Sequence, residues 1–163
     1  MRTILLYMPG LIGKHGSVME KFSRHFRVYI KEIHLPTSEK VELLDVTDKV
    51  EEAVHESKIK NGICLVFAPH ATAAIILNEH ERGLMQDIMK KILEFAPPEE
   101  NYLHNRVDNN AHAHIASSII GPSVTLPVIN GELTRGTWQN IFLVELDGPR
   151  RARRIIIEVL GEE

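Results

Sequence analysis

The sequence predicts an α+β fold, a compact single domain of mainly antiparallel strands with two or three helices. Two observations carry this. Apolar runs of strand length recur between Pro, Gly and Asn turn signals, and the helical patterns do not alternate with them as in a doubly wound sheet. The chain also lacks GxGxxG and GxxxxGK[ST], so dinucleotide and P-loop readings have no support. Its 163 residues fit one domain with an extension. Residues 1–26, punctuated by Gly10, Gly13 and Gly16, read as an N-terminal extension, with Phe22 and Phe26 at helical spacing; residues 27–163 read as the domain.

The elements follow in order. Val28, Ile30, Ile33 and Leu35 roughly alternate with polar residues, Pro36-Thr37-Ser38 reads as a turn, and Val41 to Val46 as a second strand, so a hairpin is expected here. Thr47 or Asp48, with Glu51, reads as the capped start of a helix whose Val50, Ala53, Val54 and Ile59 share a face; Asn61-Gly62 stops it. Ile63 to Phe67 is a continuous apolar run, expected as a central strand, and Ala71 to Leu77 favours strand through its β-branched residues. Leu84, Met85, Ile88, Met89, Ile92 and Leu93 set a helix over 81–94, which Pro97-Pro98 ends. Residues 99–110 read as polar loop and Ala111 to Ile120 as a short helix. SVTLPVI is a strand whose proline places it near an edge or an end. Asn130-Gly131 is a hairpin turn, TWQNIFLVEL a strand, Asp147-Gly148-Pro149 a turn and RRIIIEVL the last strand.

Composition removes several function classes. With 19 basic and 22 acidic residues, the net charge of -3 gives no general nucleic-acid footprint. No stretch approaches the roughly 20 apolar residues of a membrane helix. The short run Ile4 to Met8 is broken by Pro9, Gly10 and Gly13, unlike a signal sequence, so the expected location is cytoplasmic. One cysteine, Cys64, excludes an intramolecular disulfide framework and a cysteine-rich metal cluster. Nine histidines leave imidazole and carboxylate as the ligands for any transition metal.

Four polar clusters could carry chemistry. The densest holds His104, Asp108, His112 and His114 within eleven residues. Imidazoles from a loop and a helix start can converge on a divalent ion, although His112 and His114, two apart, point to different faces of a helix. The bland alternative is a solvated histidine-rich loop, since no H-x3-H or HExxH spacing occurs. His70 follows a buried strand, with Thr72 and Glu79 nearby; the alternative is a capped turn and helix start. Gly136-Thr137-Trp138-Gln139 offers a close backbone approach beside a rigid aromatic wall, or else Trp138 anchors a core or subunit interface. Arg150, Arg151, Arg153 and Arg154 supply a phosphate fork, or else solvate a strand end. Histidines 15, 25, 34, 55 and 80 have no partners in sequence and read as surface or structural.

Taken in order, His70-x-Thr72-Ala73, Asn78-Glu79, Tyr102-x-His104, Asp108-x-Asn110-Ala111-x-Ala113-His114, Gly121 and Gly136-Thr137-Trp138-Gln139 resemble the YjbQ family, also called the secondary thiamine-phosphate synthase family. The resemblance spans roughly residues 27–161. It implies a compact YjbQ-like α+β fold, a homotrimer, and a pocket of the motif histidines often seen with a divalent metal. The activity attributed to the family is weak thiamine-phosphate synthesis, in which hydroxymethylpyrimidine diphosphate is joined to a thiazole phosphate with release of pyrophosphate. Carried over by position, His70, His104 and His114 are the expected metal ligands. His70, Thr72, Glu79, Asp108, Trp138 and Gln139 are the expected catalytic residues. Ala71 stands where the family usually has Thr, which removes one hydroxyl, and residues 1–26 have no counterpart.

Three functions are carried forward. A synthase would stabilise the departing phosphates of a small phosphorylated substrate with a divalent ion and an arginine. Zn²⁺ suits three imidazoles, whereas Mg²⁺ prefers oxygen ligands and would accompany a pyrophosphate substrate, so the two ions need not be one. A zinc hydrolase would keep one position open for water, with Glu79 or Asp108 as base. A trimeric metal- or phosphoryl-ligand-binding protein without catalysis is the third.

Overall fold

A computed structural model of the chain describes residues 26–163. The expected extension, Phe26 apart, and the helical spacing within it lie outside the described residues.

The described residues form two antiparallel sheets and three helices. The first sheet has the order β1 (Phe26–Leu35), β8 (Arg153–Glu162), β3 (Asn61–Phe67), β5 (Ser123–Ile129), β6 (Glu132–Leu133). The second has β2 (Glu42–Asp45), β7 (Asn140–Glu145), β4 (Ala73–Asn78). The main core lies between the sheets and under helix α1 (Thr47–Ser57), and includes Val50, Val54, Ile59, Val66, Ile75, Ile141, Leu143, Ile155 and Ile157. A second core, with Ala74, Ala113, Val144 and Leu146 at its centre, joins the other face of the three-stranded sheet to helices α2 (Arg82–Phe95) and α3 (Ala111–Ile120). The fold class is therefore α+β, as the sequence predicts. No helix among the described residues is long and apolar enough to cross a membrane.

Most elements fall where the apolar pattern puts them. Val50, Ala53, Val54 and Ile59 are all fully buried. The run Ile63 to Phe67 is the central strand between β8 and β5. Asn130 and Gly131 both take positive φ, 55° and 84°, as a tight two-residue hairpin turn requires. Pro127 pairs with Ile63 on one side, while β6 covers only Val128 and Ile129 on the other, so its missing N–H breaks no ladder there.

Three local expectations are corrected. β1 and β2 are not a hairpin: β1 pairs along its whole length with β8, and β2 pairs with β7 in the other sheet. The connection is instead stitched to the 147–150 turn, by Thr37 N–H to Arg150 C=O and Gly148 N–H to Lys40 C=O. Helix α1 has no capping box: the Thr47 hydroxyl is spent between Asp45 and the Ile141 amide, and Glu51 pairs with Arg135 at 2.9 Å. β7 begins at Asn140, because Gly136 and Gln139 close a turn on each other through both backbone and side chain. At the start of α2 an unexpected cap appears, the Glu81 carboxylate accepting from Gly83 and Leu84 N–H at 2.7 Å each.

Candidate functional site

The register of the three-stranded sheet decides which candidates can meet. Ala73 at the start of β4 faces Glu145 at the end of β7, and Asn78 at the far end faces Asn140. Five steps of strand at about 3.3 Å separate these ends by about 17 Å. His70 and Thr72 precede β4, and Asp108 connects through Asn110 to Asp147 just beyond β7. Glu79, Trp138 and Gln139 sit at the other end. One chain therefore does not gather the six expected catalytic residues round a single small ligand; it divides them three and three.

The first end is built on a buried ion pair. The Glu145 carboxylate accepts from Arg153 Nη2 at 2.5 Å and Nε at 2.6 Å, a bidentate fork. It also accepts from the Asp147 amide at 2.8 Å and the Thr37 hydroxyl at 3.0 Å. Arg153 Nη2 reaches Thr72 Oγ1 at 3.1 Å. The side chains of Arg153 and Glu145 are 6% and 0% exposed. Burial opposes the charge on Glu145, but the hydrogen bonds and the Arg153 guanidinium outweigh it and hold the carboxyl below its ordinary range. The network is saturated, so it clamps β7, β8 and two loops and leaves Thr72 buried beneath Arg153. Glu145 is the residue that sequence reasoning missed; its signal is a carboxylate inside the apolar run IFLVEL.

His70 stands beside this clamp. Its Nε2 lies 3.0 Å from the Arg154 N–H and 3.1 Å from the Arg154 C=O. The backbone offers both a donor and an acceptor, so what meets Nδ1 selects the tautomer. Burial and then the Arg153 charge push the His70 pKa down, which keeps the ring neutral at pH 7. Ser117 on α3 donates to Ala71 C=O at 2.5 Å, tying this loop to the helix that carries His114.

A second polar layer covers the same end. Asn110 donates to both Asp108 and Asp147 at 3.1 Å, and Arg150 donates to Asp147 at 2.5 Å. The rings of His104 and His114 meet edge to face with centroids 4.9 Å apart. His112 points inward instead, 2% exposed, and neither ring nitrogen meets a well-aligned hydrogen-bond partner among the described residues. Burial lowers its pKa, aided by the Lys40 charge.

The metal expectation can be set against this geometry. A zinc site with three protein ligands needs their donor atoms within about 2.0–2.2 Å of one point. His104 and His114 pair with each other, while His70 is held on the Arg154 backbone. Among the described residues no three His, Cys, Asp or Glu side chains are placed to share an ion. The residues of one chain do not fit the three-histidine zinc site.

At the opposite end, Gln139 Oε1 accepts from the Gly136 N–H at 2.7 Å, and the close approach at Gly136 is to the Gln139 side chain itself. Trp138 is 68% exposed, which excludes a core role. Of the arginines, Arg153 is buried, whereas Arg150, Arg151 and Arg154 stay exposed at the first end. An apolar groove of about 460 Å³ between α2 and α3 is lined by none of the expected site residues.

Sequence comparison matches residues 31–162 to the family described as UPF0047 protein, YjbQ-like. The chain belongs to this family. It is 47% identical over 135 residues to a UPF0047 protein of Methanothermobacter thermautotrophicus, covering 83% of this chain and 94% of that one. It is 35% identical over 133 residues to the UPF0047 protein YugU of Bacillus subtilis, covering 81% and 99%. Among solved structures, a YbjQ-like protein of unknown function from Sulfolobus solfataricus P2 superposes with a TM-score of 0.84 at 56% identity, covering 85% of this chain and all of that one. Family membership thus accounts for the ordered motif set and for the α+β architecture.

Proposed function

We propose that the chain binds a small phosphorylated substrate at the end where His70, Asp108, His104 and His114 cluster, and that its chemistry is the family-type joining of hydroxymethylpyrimidine diphosphate to a thiazole phosphate. The observation that carries this reading is His70, its imidazole fixed through Nε2 on the Arg154 backbone and flanked by exposed arginines at the same end. In the reaction, the thiazole nitrogen lone pair forms the new C–N bond while the methylene C–O bond breaks and diphosphate leaves with the electron pair. Negative charge builds on the departing oxygen, where an arginine fork and a donor at His70 Nδ1 would act. Mg²⁺ would come with the diphosphate oxygens; no step passes through a histidine-bound metal. The zinc hydrolase reading has less support, because one chain offers a pair of imidazoles where three are needed. The proposed location is the cytoplasm.

A coupled assay for thiamine phosphate in Mg²⁺ buffer tests this. His70→Ala is expected to lower turnover by about 10²-fold, the usual worth of one donor aimed at developing negative charge. Activity unchanged in both His70→Ala and the His104→Ala/His114→Ala double variant would overturn the proposal. Stoichiometric zinc lost on His104→Ala would move the assignment to the hydrolase.

We further propose that copies of the chain associate as a homotrimer. Phe26, Val28, Ile30 and Ile63 support association, because all four are exposed on one face of the five-stranded sheet. Light scattering should give three times the 18.5 kDa chain mass; a monomeric mass excludes it.

A further inference from the structure

The fold gives His80 the partner that the sequence does not. Asp45, the last residue of β2, receives four donors. Oδ1 accepts from Thr47 N–H at 2.9 Å and the Thr47 hydroxyl at 2.5 Å; Oδ2 accepts from Asn140 Nδ2 at 2.7 Å and lies 2.6 Å from His80 Nδ1. Burial works against the Asp45 charge, yet these bonds prevail and hold its carboxyl below the ordinary range. An ionised carboxylate has no proton to give, so the proton of the shared bond sits on His80 Nδ1. In the neutral ring, the lone pair is then on Nε2. The ring also meets buried Phe142 edge to face, with centroids 5.4 Å apart, which fixes its plane.

A ring held this firmly is still 51% exposed. It opens on a groove of about 530 Å³ shared with Arg82, Met85 and Gln86. Arg82 has no carboxylate within ion-pair distance among the described residues. The carboxylate between the two, Glu81, is consumed by the Gly83 and Leu84 amides. The groove therefore combines an oriented imidazole with a guanidinium that has no carboxylate partner among the described residues, and none of its lining residues is acidic. Thr47 and Asn140 already satisfy Asp45, so the fold does not need an imidazole there for hydrogen bonding alone.

We propose that His80 and Arg82 form a binding site for a small oxyanion, a phosphoryl or carboxylate group. The protonated His80 ring, its Nδ1–H kept by Asp45, donates from Nε2 to one ligand oxygen, and the Arg82 guanidinium takes others as a planar fork. No covalent bond to carbon or phosphorus changes. The site is at the far end of β4 from His70, and it stands whether or not the synthase reading holds.

The test is NMR titration of the whole protein with inorganic phosphate and, separately, with acetate, following the His80 ring Cε1–H resonance. Phosphate is expected to shift it saturably. Arg82→Gln should weaken that binding about tenfold, the loss of one charge-assisted contact, and His70→Ala should leave it unchanged. A shift with phosphate but little with acetate assigns the site to phosphoryl groups; the reverse assigns it to carboxylates. The proposal is overturned if neither anion moves the resonance below concentrations at which ionic strength alone perturbs the spectrum. An equal midpoint in Arg82→Gln, or loss of the shift in His70→Ala, would overturn it as well. Circular dichroism of each variant separates lost binding from lost folding.

Discussion

Arg153→Met is expected to cost the fold about 3–5 kcal/mol, read as a drop in the urea midpoint, because it strands the Glu145 carboxylate without its counter-charge. Glu145 is 0% exposed and receives two of its four hydrogen bonds from Arg153. A double variant, Glu145→Leu with Arg153→Met, should recover most of the loss, since apolar packing often replaces a buried pair at little net cost. Should the single and double variants be equally unstable, the pair would be replaceable neither singly nor together and the charge argument would fail. The same carboxyl predicts an acid dependence. Its folded pKa is depressed, so the folded state binds the proton less tightly than the unfolded chain. The contribution is complete above the unfolded value of about 4.3 and disappears as pH falls through the lower folded value. Wild type should therefore lose stability in acid more steeply than the double variant.

The second large effect is expected at Gly62. A Cβ built there would lie 1.9 Å from the Leu160 carbonyl oxygen and 2.8 Å from Gly161 Cα. Gly161, its register partner, has the mirror problem, 2.2 Å from the Asn61 carbonyl oxygen and 2.7 Å from Gly62 Cα. Backbone cannot give way as a side chain can, so β3 and β8 would have to part. Gly62→Ala should cost more than about 4 kcal/mol, in the range reserved for gross steric failure, and should show as lost soluble yield or a collapsed thermal midpoint. Gly121→Ala is the contrast. It has open space around its Cβ but takes φ 97° and ψ 150°, a region essentially only glycine enters, so about 1–3 kcal/mol is expected. Equal losses at the two sites would refute the close-approach argument.

The fold was largely legible because burial repeats along the chain. Val50, Ala53 and Val54 mark a helix face, and Ile63 to Phe67 a central strand, without reference to any partner. Pairing was not legible. Val28 to Leu35 and Val41 to Val46 look like a hairpin locally, and only the contacts of Thr37 and Lys40 with the 147–150 turn send them to different sheets. The candidate site failed in the same way. Order along the chain put His70 and Glu79 in one motif set, but they flank a six-residue strand that carries them to opposite ends. Arg153 is hidden by its neighbours: the four arginines read together as a phosphate fork or a solvated strand end, yet β8 starts at Arg153, which turns inward to Glu145 while Arg151 stays in the loop before it. His80 reads as incidental in the sequence because its partner Asp45 is 35 positions away.

The sole cysteine gives the molecule a practical property. Cys64 is fully covered in the centre of β3, and burial pushes its thiol up to about 12. Alkylating reagents attack thiolate, so in the folded protein this sulfur stays silent at neutral pH. Leu103→Cys or Trp138→Cys, both open to solvent at opposite ends, would take a spectroscopic label without background and report on either end alone.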